Sequence, residues 1–358
     1  MVYNKIYAMI LKDVTATIST RGRHNTTLPL VLSSLLTQNK KPGKVYVYDD
    51  NDTFDDPSKN DVLKNILTAM SVGGIMWYWE PGSRIGQVAN HERARKSCTT
   101  TYLWRIDDDN MLLPDTLEVM YDTINADPRI GAVSPSIVDP KNLMNNALAS
   151  NKMEDIFLGL NEQWNYKKEI ELKEVEHLQG STFMYRVAAA NHGYDLTLSR
   201  KGHREETIFT YEMVRAGWKL VAILGLTTWH FHYQSGGIRS ETDNRMAHND
   251  ELHFRDKLND WGVKPSNYKF YFLDSGRGDH YIFKMMIPEL LKRYKNHKIV
   301  IACCWPDCFW DITDERVKLC SIADAAPFVN KDTHNVYKYM FDNNWKGQVI
   351  DAYKKILL

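Results

Sequence analysis

No run in the 358 residues approaches the roughly 20 consecutive apolar side chains that a membrane-crossing helix requires. The first residues mix apolar side chains with Asn4, Lys5, Lys12 and Asp13 and lack a small-residue cleavage pattern, so no secretion signal is expected. Net charge is missing as well. The 45 Lys and Arg balance 45 Asp and Glu, which removes any global attraction to nucleic acid or anionic membrane and leaves a polyanionic partner to be recognised locally. Cysteine is scarce: of five, Cys303, Cys304 and Cys308 are bunched and the other two distant, giving neither a disulfide framework nor paired Cys-x-x-Cys metal spacing. A reducing, cytoplasmic setting is the simplest fit. Internal repeats and low-complexity segments are absent too. What is present is a soluble globular composition, 43% apolar and 25% charged, in a chain long enough for one large domain or two of ordinary size.

The residue pattern alternates strand and helix. Residues 14–19 are β-branched enough for a strand, Thr20-Arg21-Gly22-Arg23 is a polar turn, and Leu28, Val31, Leu32, Leu35 and Leu36 recur at the spacing of one helical face. Residues 44–48 form the next strand, so a parallel pair joined by a crossover helix is the economical arrangement. Residues 75–79 and 101–106 read as further strands, with a polar helix through Asn90, Ala94 and Cys98 between them. Pro114 opens a helix with Leu117, Met120, Tyr121 and Ile124 on one face, and residues 130–137 are extended. Residues 139–176 read as inserted helices and loops, residues 178–185 as a strand, and residues 219–226 as another after a helix closed by Gly217. Ser235-Gly236-Gly237-Ile238-Arg239 has the make-up of a mobile loop, and the charged run 241–264 that of a helix. A composition shift near residues 262–268 suggests a boundary, with domains at 1–265 and 266–358. The second domain reads as strand, helix, strand over residues 269–303, with Gly276-Arg277-Gly278-Asp279 at the first turn, Pro288 disturbing the helix, and Trp305, Phe309 and Trp310 as local core in preference to a ligand platform. An amphipathic helix through Val349, Ile350, Tyr353, Ile356 and Leu357 follows.

Several polar groups gather at strand ends. Asp107 and Asp109 are two apart after an apolar run and can share a hard divalent cation with substrate phosphates; a solvated acidic turn is the plain alternative. Asp49 and Asp50 close the second strand, where a nucleotide base or ribose lies in such sheets, or else cap a turn. Arg84, in the loop after the third strand, holds a diphosphate or is a solvated loop arginine. Glu205 and Glu206 precede a helix and complement its dipole, or one of them is a general base. His230 and His232 alternate on an extended segment and so face one way, as metal ligands or as hydrogen-bonded packing residues.

Taken in order, these pieces resemble a family 2 glycosyltransferase of the GT-A fold over roughly residues 12–240. Ile18-Ser19-Thr20-Arg21-Gly22-Arg23 resembles the family's first strand and loop, and Ser33-Ser34-Leu35-Leu36-Thr37-Gln38 its following helix. Val47-Tyr48-Asp49-Asp50-Asn51-Asp52 is similar to its second strand end, Val88-Ala89-Asn90 to Ala94 to the helix before its DxD strand, and Arg105-Ile106-Asp107-Asp108-Asp109-Asn110 with Leu113-Pro114-Asp115 to that strand. Glu205-Glu206 with Arg215-Ala216-Gly217-Trp218 resembles its acidic pair and helix end, with Glu206 where an aspartate is usual. The resemblance implies a nucleoside diphosphate sugar donor, a UDP-sugar in the first instance, a Mn or Mg ion, and inversion at the anomeric carbon. It implies Asp109 as direct metal ligand, assisted by Asp107 and by His230 or His232; Asp108 at the ribose; Asp50, with Thr20, Arg21 and Arg23, orienting base and ribose; and Glu206 as base beside Glu205. A saccharide is the usual acceptor of the family. A hydroxylated nucleic-acid base serves equally well chemically and calls for a local basic face, for which Arg93, Arg95, Lys96, Arg200, Lys201 and Arg204 are candidates. A sugar- or nucleic-acid-binding module without turnover is the non-enzymatic alternative. The absence of a glycine-rich, lysine-bearing phosphate loop near the first strand disfavours a nucleotidyltransferase. The last part, outside the resemblance, is expected to be an acceptor-docking domain or a partial GT-B-like nucleotide fold.

Overall fold

The structure, a computed structural model, describes residues 9–140, 152–157, 169–178, 180–232, 235–238, 244–263, 267–322 and 336–357. It divides into two compact units: Met1–Lys152 with Glu162–Lys257, and Met153–Asn161 with Leu258–Leu358. The border therefore falls inside a helix, a few residues before the composition shift, and the second unit also takes a short segment from the middle of the chain.

The first unit is a mixed sheet clothed by helices. In chain order it runs β1 (Met9–Thr20), α1 (Leu28–Leu36), β2 (Lys40–Asp49), α2 (Asp61–Val72), β3 (Met76–Pro81), α3 (Gln87–Ser97), β4 (Tyr102–Asp107), β5 (Asn110–Leu112), α4 (Thr116–Ala126) and β6 (Ile130–Val138). After α5 (Met153–Phe157), which belongs to the second unit, come β7 (Glu171–Val175), β8 (Thr182–Arg186), α6 (Glu205–Arg215), β9 (Lys219–His230) and α7 (Asn244–Asp260). The strands lie in the order β3-β2-β1-β4-β8-β6-β9-β5, with β7 also on β9. β3, β2, β1 and β4 are mutually parallel, as expected of strands joined by crossover helices, and β8 is antiparallel to both β4 and β6. On one sheet face Val14, Ala16 and Ile18 pack with Leu28, Val31, Leu32 and Leu35 of α1, Leu63, Leu67 and Met70 of α2, and Leu117, Met120 and Ile124 of α4. On the other, Leu103, Phe183 and Tyr185 meet Val88 and Ala94 of α3 and Phe209 and Met213 of α6. Both faces being buried explains why the central strands read as unbroken apolar runs.

Two details of this sheet set up the site. The register puts Ser19 beside Asp107 and Thr20 beside Asp49, so the carboxyl ends of β1, β2 and β4 finish level. β9 carries a bulge at Gly225 (φ +82°), between the partners of Pro135 and Ser136, where a Cβ would lie 2.2 Å from the Glu169 carbonyl oxygen. Beyond the bulge β9 continues to pair with β5, aligning His230 with Asn110. Within the segment expected to be helix and loop, residues 171–175 form β7, because Leu172 and Val175 suffice to extend the sheet along β9.

The second unit is built on a parallel three-stranded sheet, β10 (Tyr268–Leu273), β11 (Lys298–Cys303) and β12 (Val317–Cys320), in that order. Around it lie α8 (Arg277–Arg293), α9 (Val336–Asp342) and α10 (Val349–Leu357), with a 3-10 turn at Pro306–Phe309. α8 runs through Pro288 without ending there: the ring lies on the exposed side, where water can reach the carbonyl whose donor is lost. Of the three aromatics expected in the core, Phe309 is buried, whereas Trp305 is 40% and Trp310 79% exposed. α5 belongs here because the buried Asp155 carboxylate accepts hydrogen bonds from Tyr268 Oη (2.7 Å) and Lys298 Nζ (2.8 Å). Among the described residues no helix is long and apolar enough to cross a membrane.

Candidate active site

The turn from β4 to β5 carries Asp107, Asp108 and Asp109 and is locked from behind. Ser181 accepts from the Asp107 N–H at its carbonyl (2.7 Å) and from Asn110 Nδ2 (2.9 Å), while its hydroxyl donates to Asn110 Oδ1 (2.7 Å). Buried and bonded at both ends of its amide, Asn110 holds the turn, a role that its residue type alone does not reveal. The Phe231 N–H donates to the Asp109 carbonyl (3.0 Å), so the end of β9 is tied to the same turn.

Asp107, Asp109 and His230 bring one ligand atom each within 4.8 Å of one another. Opposed oxygens around a small divalent ion stand ~4.2 Å apart at ordinary bond lengths, so this set fits the coordination sphere of one cation, with carboxylate and imidazole suited to Mn and carboxylates to Mg. His230 Nε2 lies 3.1 Å from Asp109. His232 is not in the group. Its backbone turns into the left-handed region (φ +44°), which breaks the strand alternation; its ring lies against that of His230, centroids 3.9 Å apart and planes inclined by 48°.

The three aspartates separate by environment. Arg23 bridges Asp108 (2.5 Å) and Asp109 (2.9 Å). Burial, with the neighbouring Asp109 charge, lifts Asp108 to about 6 despite Arg23. Its carboxylate is engaged by Arg23 and lines the same cleft as Thr20 and Asp50. Asp107, the most open of the three, is also raised, first by burial and against the pull of Arg105.

Arg105, within β4, joins the two acidic motifs. Its guanidinium, 1% exposed, lies 2.6 Å from Glu205 and 3.2 Å from Asp107. Burial disfavours its charge, but Glu205, Asp107 and Glu206 outweigh that and raise its pKa. Glu205 is therefore consumed in a fully buried ion pair at the start of α6 and has no open face. Glu206 differs. It is half-buried, close enough to Asp107 and Arg105 to act on both by charge, and it lines a cavity with Lys201, His203 and Arg204.

On the other side of the turn, Ser19, Thr20, Arg21 and Asp50 line a cleft with the three aspartates and His230. Asp50 accepts from the Arg84 N–H (2.7 Å), the Gly86 N–H (3.2 Å) and Asn90 Nδ2 (3.0 Å). Asn90 also donates to Ser19 and accepts from the Ser83 N–H, so it braces the cleft wall from a fully buried place. Arg84 takes part through its backbone; its side chain is exposed. Asp49 faces away from its neighbour, accepting from the N–H groups of Asn51 and Asp55 and from Asn51 Nδ2, and so serves the loop as a turn cap. Arg21 reaches the Asp50 carbonyl (2.5 Å) and pairs with Asp52. Gly236 and Gly237 close over Gly22, with the Gly237 N–H donating to the Arg21 carbonyl (2.7 Å); Arg239, expected in the same loop, lies outside the described residues.

No curated protein sequence matches the chain. Among solved structures, the chain is similar to that of GalNAc-T7 with UDP, GalNAc and Mn2+ (14% identity, 63% of this chain and 45% of that one, TM-score 0.49). It is also similar to the mannosyltransferase PcManGT from Pyrobaculum calidifontis in complex with GDP-Man and Mn2+ (14% identity, 62% and 58%, TM-score 0.42) and to S. aureus TarS 1-349 in complex with UDP-GlcNAc (12% identity, 65% and 62%, TM-score 0.45). The chain thus spans less than two thirds of the length of each of these. The family description Glycosyl transferase family 2 matches residues 15–193, half of the chain and the part that holds β1, β2, β4 and the acidic turn. With its curled, mostly parallel sheet and the acidic turn at the sheet's carboxyl edge, this chain belongs to glycosyl transferase family 2 and has the GT-A fold.

Proposed function

We propose that the protein is a metal-dependent, inverting glycosyltransferase that moves a sugar from a nucleoside diphosphate, UDP in the first instance, to a hydroxyl acceptor. The observation that carries this reading is the Asp107–Asp109–His230 cluster, whose residues line a cleft with Asp50, with Glu206 within electrostatic reach of Asp107. Mn or Mg, when bound there, offsets the charge that develops on the departing diphosphate. The remaining work falls to the chain. Arg23 keeps Asp108 and Asp109 in place, and Arg105 keeps Asp107 aligned while anchoring the start of α6 through Glu205. Thr20, Arg21 and Asp50 form the wall along which base and ribose are read. Glu206 accepts the acceptor's hydroxyl proton as that oxygen bonds to the anomeric carbon; the bond from this carbon to the phosphate oxygen breaks, and its electron pair leaves with the diphosphate. Attack from the face opposite the leaving group inverts the centre. Relative to an aspartate, Glu206 reaches one methylene further.

The test is hydrolysis of a panel of nucleoside diphosphate sugars by the full chain with Mn2+ or Mg2+. One donor is expected to be turned over only with metal, and Asp109→Ala to abolish that turnover. If no donor is bound or hydrolysed with either metal, the transferase reading fails.

A further inference from the structure

The cavity beside Glu206 has a volume of about 360 Å³ and is lined by Lys201, Gly202, His203, Arg204, Thr207 and Ala247. Its floor is the first turn of α6, which has no side-chain cap and whose dipole favours negative charge; the Glu205 N–H there is already bonded to the Gly202 carbonyl (3.3 Å). Its wall, the loop 199–204, is built in advance by α7. Asp250, 3% exposed, accepts from the Ser199 N–H (2.7 Å), the Ser199 hydroxyl (2.7 Å) and the His203 N–H (2.9 Å). Arg204 is held in the left-handed region (φ +69°), a costly conformation for a residue with a side chain, by Glu251 (2.8 Å) and by packing over the Phe254 ring (5.4 Å).

The described lining of this cavity carries two permanent cations, Lys201 and Arg204, against one carboxylate, Glu206, while Asp250 and Glu251 stand behind its wall. Glu251 is shared among Arg204, His203 (3.2 Å) and Arg255 (3.5 Å), so one carboxylate answers two permanent cations. Lys201 makes no ion pair with any described residue. Among the described residues lining the cavity, Glu206, the group read as base, is the one carboxylate set against these cations. A neutral sugar would gain little from such a lining, whereas an anion gains a charge-assisted contact and a helix terminus together.

We propose that this cavity receives an anionic group of the acceptor, a phosphate monoester or a carboxylate, held by Lys201 with His203 and Arg204, so that a nearby hydroxyl meets Glu206. The inference rests on Glu206 being the base of a sugar transfer. It deepens that reading by naming the acceptor class: a phosphorylated or carboxylated polyol or saccharide.

Two measurements test it. In the first, the full chain saturated with Mn2+ and UDP is titrated with inorganic phosphate by calorimetry. One saturable phosphate site is expected, weakened tenfold or more in Lys201→Ala; the absence of a saturable site, or an unchanged affinity in that variant, overturns the proposal. In the second, transfer from the active donor is compared for a hexose, the same hexose bearing a 6-phosphate, and the matching hexuronate. A kcat/KM at least tenfold higher for one charged acceptor, collapsing towards the neutral value in Lys201→Ala, supports the proposal and tells phosphate from carboxylate. Equal use of all three overturns it while leaving the transferase reading in place, since donor hydrolysis would stand. Failure of donor hydrolysis with metal, by contrast, removes both.

Discussion

Glu205 is sealed against Arg105, whereas Glu206, one residue on, opens on a cavity. Replacing Glu206 by Gln keeps shape and removes the proton acceptor, so kcat for transfer is expected to fall by ~10²–10⁴-fold with donor KM nearly unchanged, as steady-state kinetics would read. The histidines separate in the same way. His230→Ala is expected to weaken Mn2+ binding by more than ~100-fold, beyond the ~10–100-fold that loss of an outer partner costs, and His232→Ala to weaken it by no more than that; titration monitored by electron paramagnetic resonance distinguishes them. The equivalence of His230 and His232 that strand alternation implies is removed by one backbone angle, the left-handed φ of His232, which composition does not encode. Asp49 and Asp50 were indistinguishable by type, and the pleat sends them to opposite sides: one caps its own loop, the other lines the cleft. The carboxylates themselves were legible because charge at the end of an apolar strand needs a reason.

At the scale of elements, the clasp between α7 and the loop before α6 depends on acids. Burial would raise Glu251, but hydrogen bonds and charge from His203 and Arg204 outweigh this and hold it at about 2, below its usual 4.5. A carboxylate lowered on folding contributes stability that is complete above the unfolded value and lost as pH falls through the folded one. The clasp is therefore expected to weaken between about pH 4.5 and about pH 2, and Glu251→Gln to flatten that part of the stability profile, as thermal melts across this range would show. Most strands were legible from their β-branched runs. β7 was not, since two apolar residues in a charged stretch become a strand only because β9 offers a free edge. Pro288 misled in the other direction, because the cost of proline within a helix depends on whether water reaches the freed carbonyl, and that depends on which side of α8 faces out.

For the molecule as a whole, the contents of the second unit are not legible in the sequence. The composition shift near residue 265 lies close to the observed border, but nothing local in residues 153–161 marks them as part of the second unit; their reason is Asp155, whose partners Tyr268 and Lys298 lie far along the chain. Replacing Asp155 by Ala leaves Tyr268 and Lys298 without this acceptor and is expected to cost the second unit ~1–3 kcal/mol. Hydrogen exchange would show faster opening of β10 and β11 amides, with those of β1 and β4 unchanged.

The same contact has a consequence during synthesis. Asp155 and Lys298 are 143 residues apart, so at ~5–20 residues per second the ribosome delivers the lysine roughly 7–30 s after the aspartate. The first unit has most of its strands in hand well before then, while the segment around Asp155 waits in its midst for a partner still unmade. A pause in translation after residue 257 would prolong that wait, making the interval between the two halves of the second unit the stretch of synthesis at which a chaperone has most to protect.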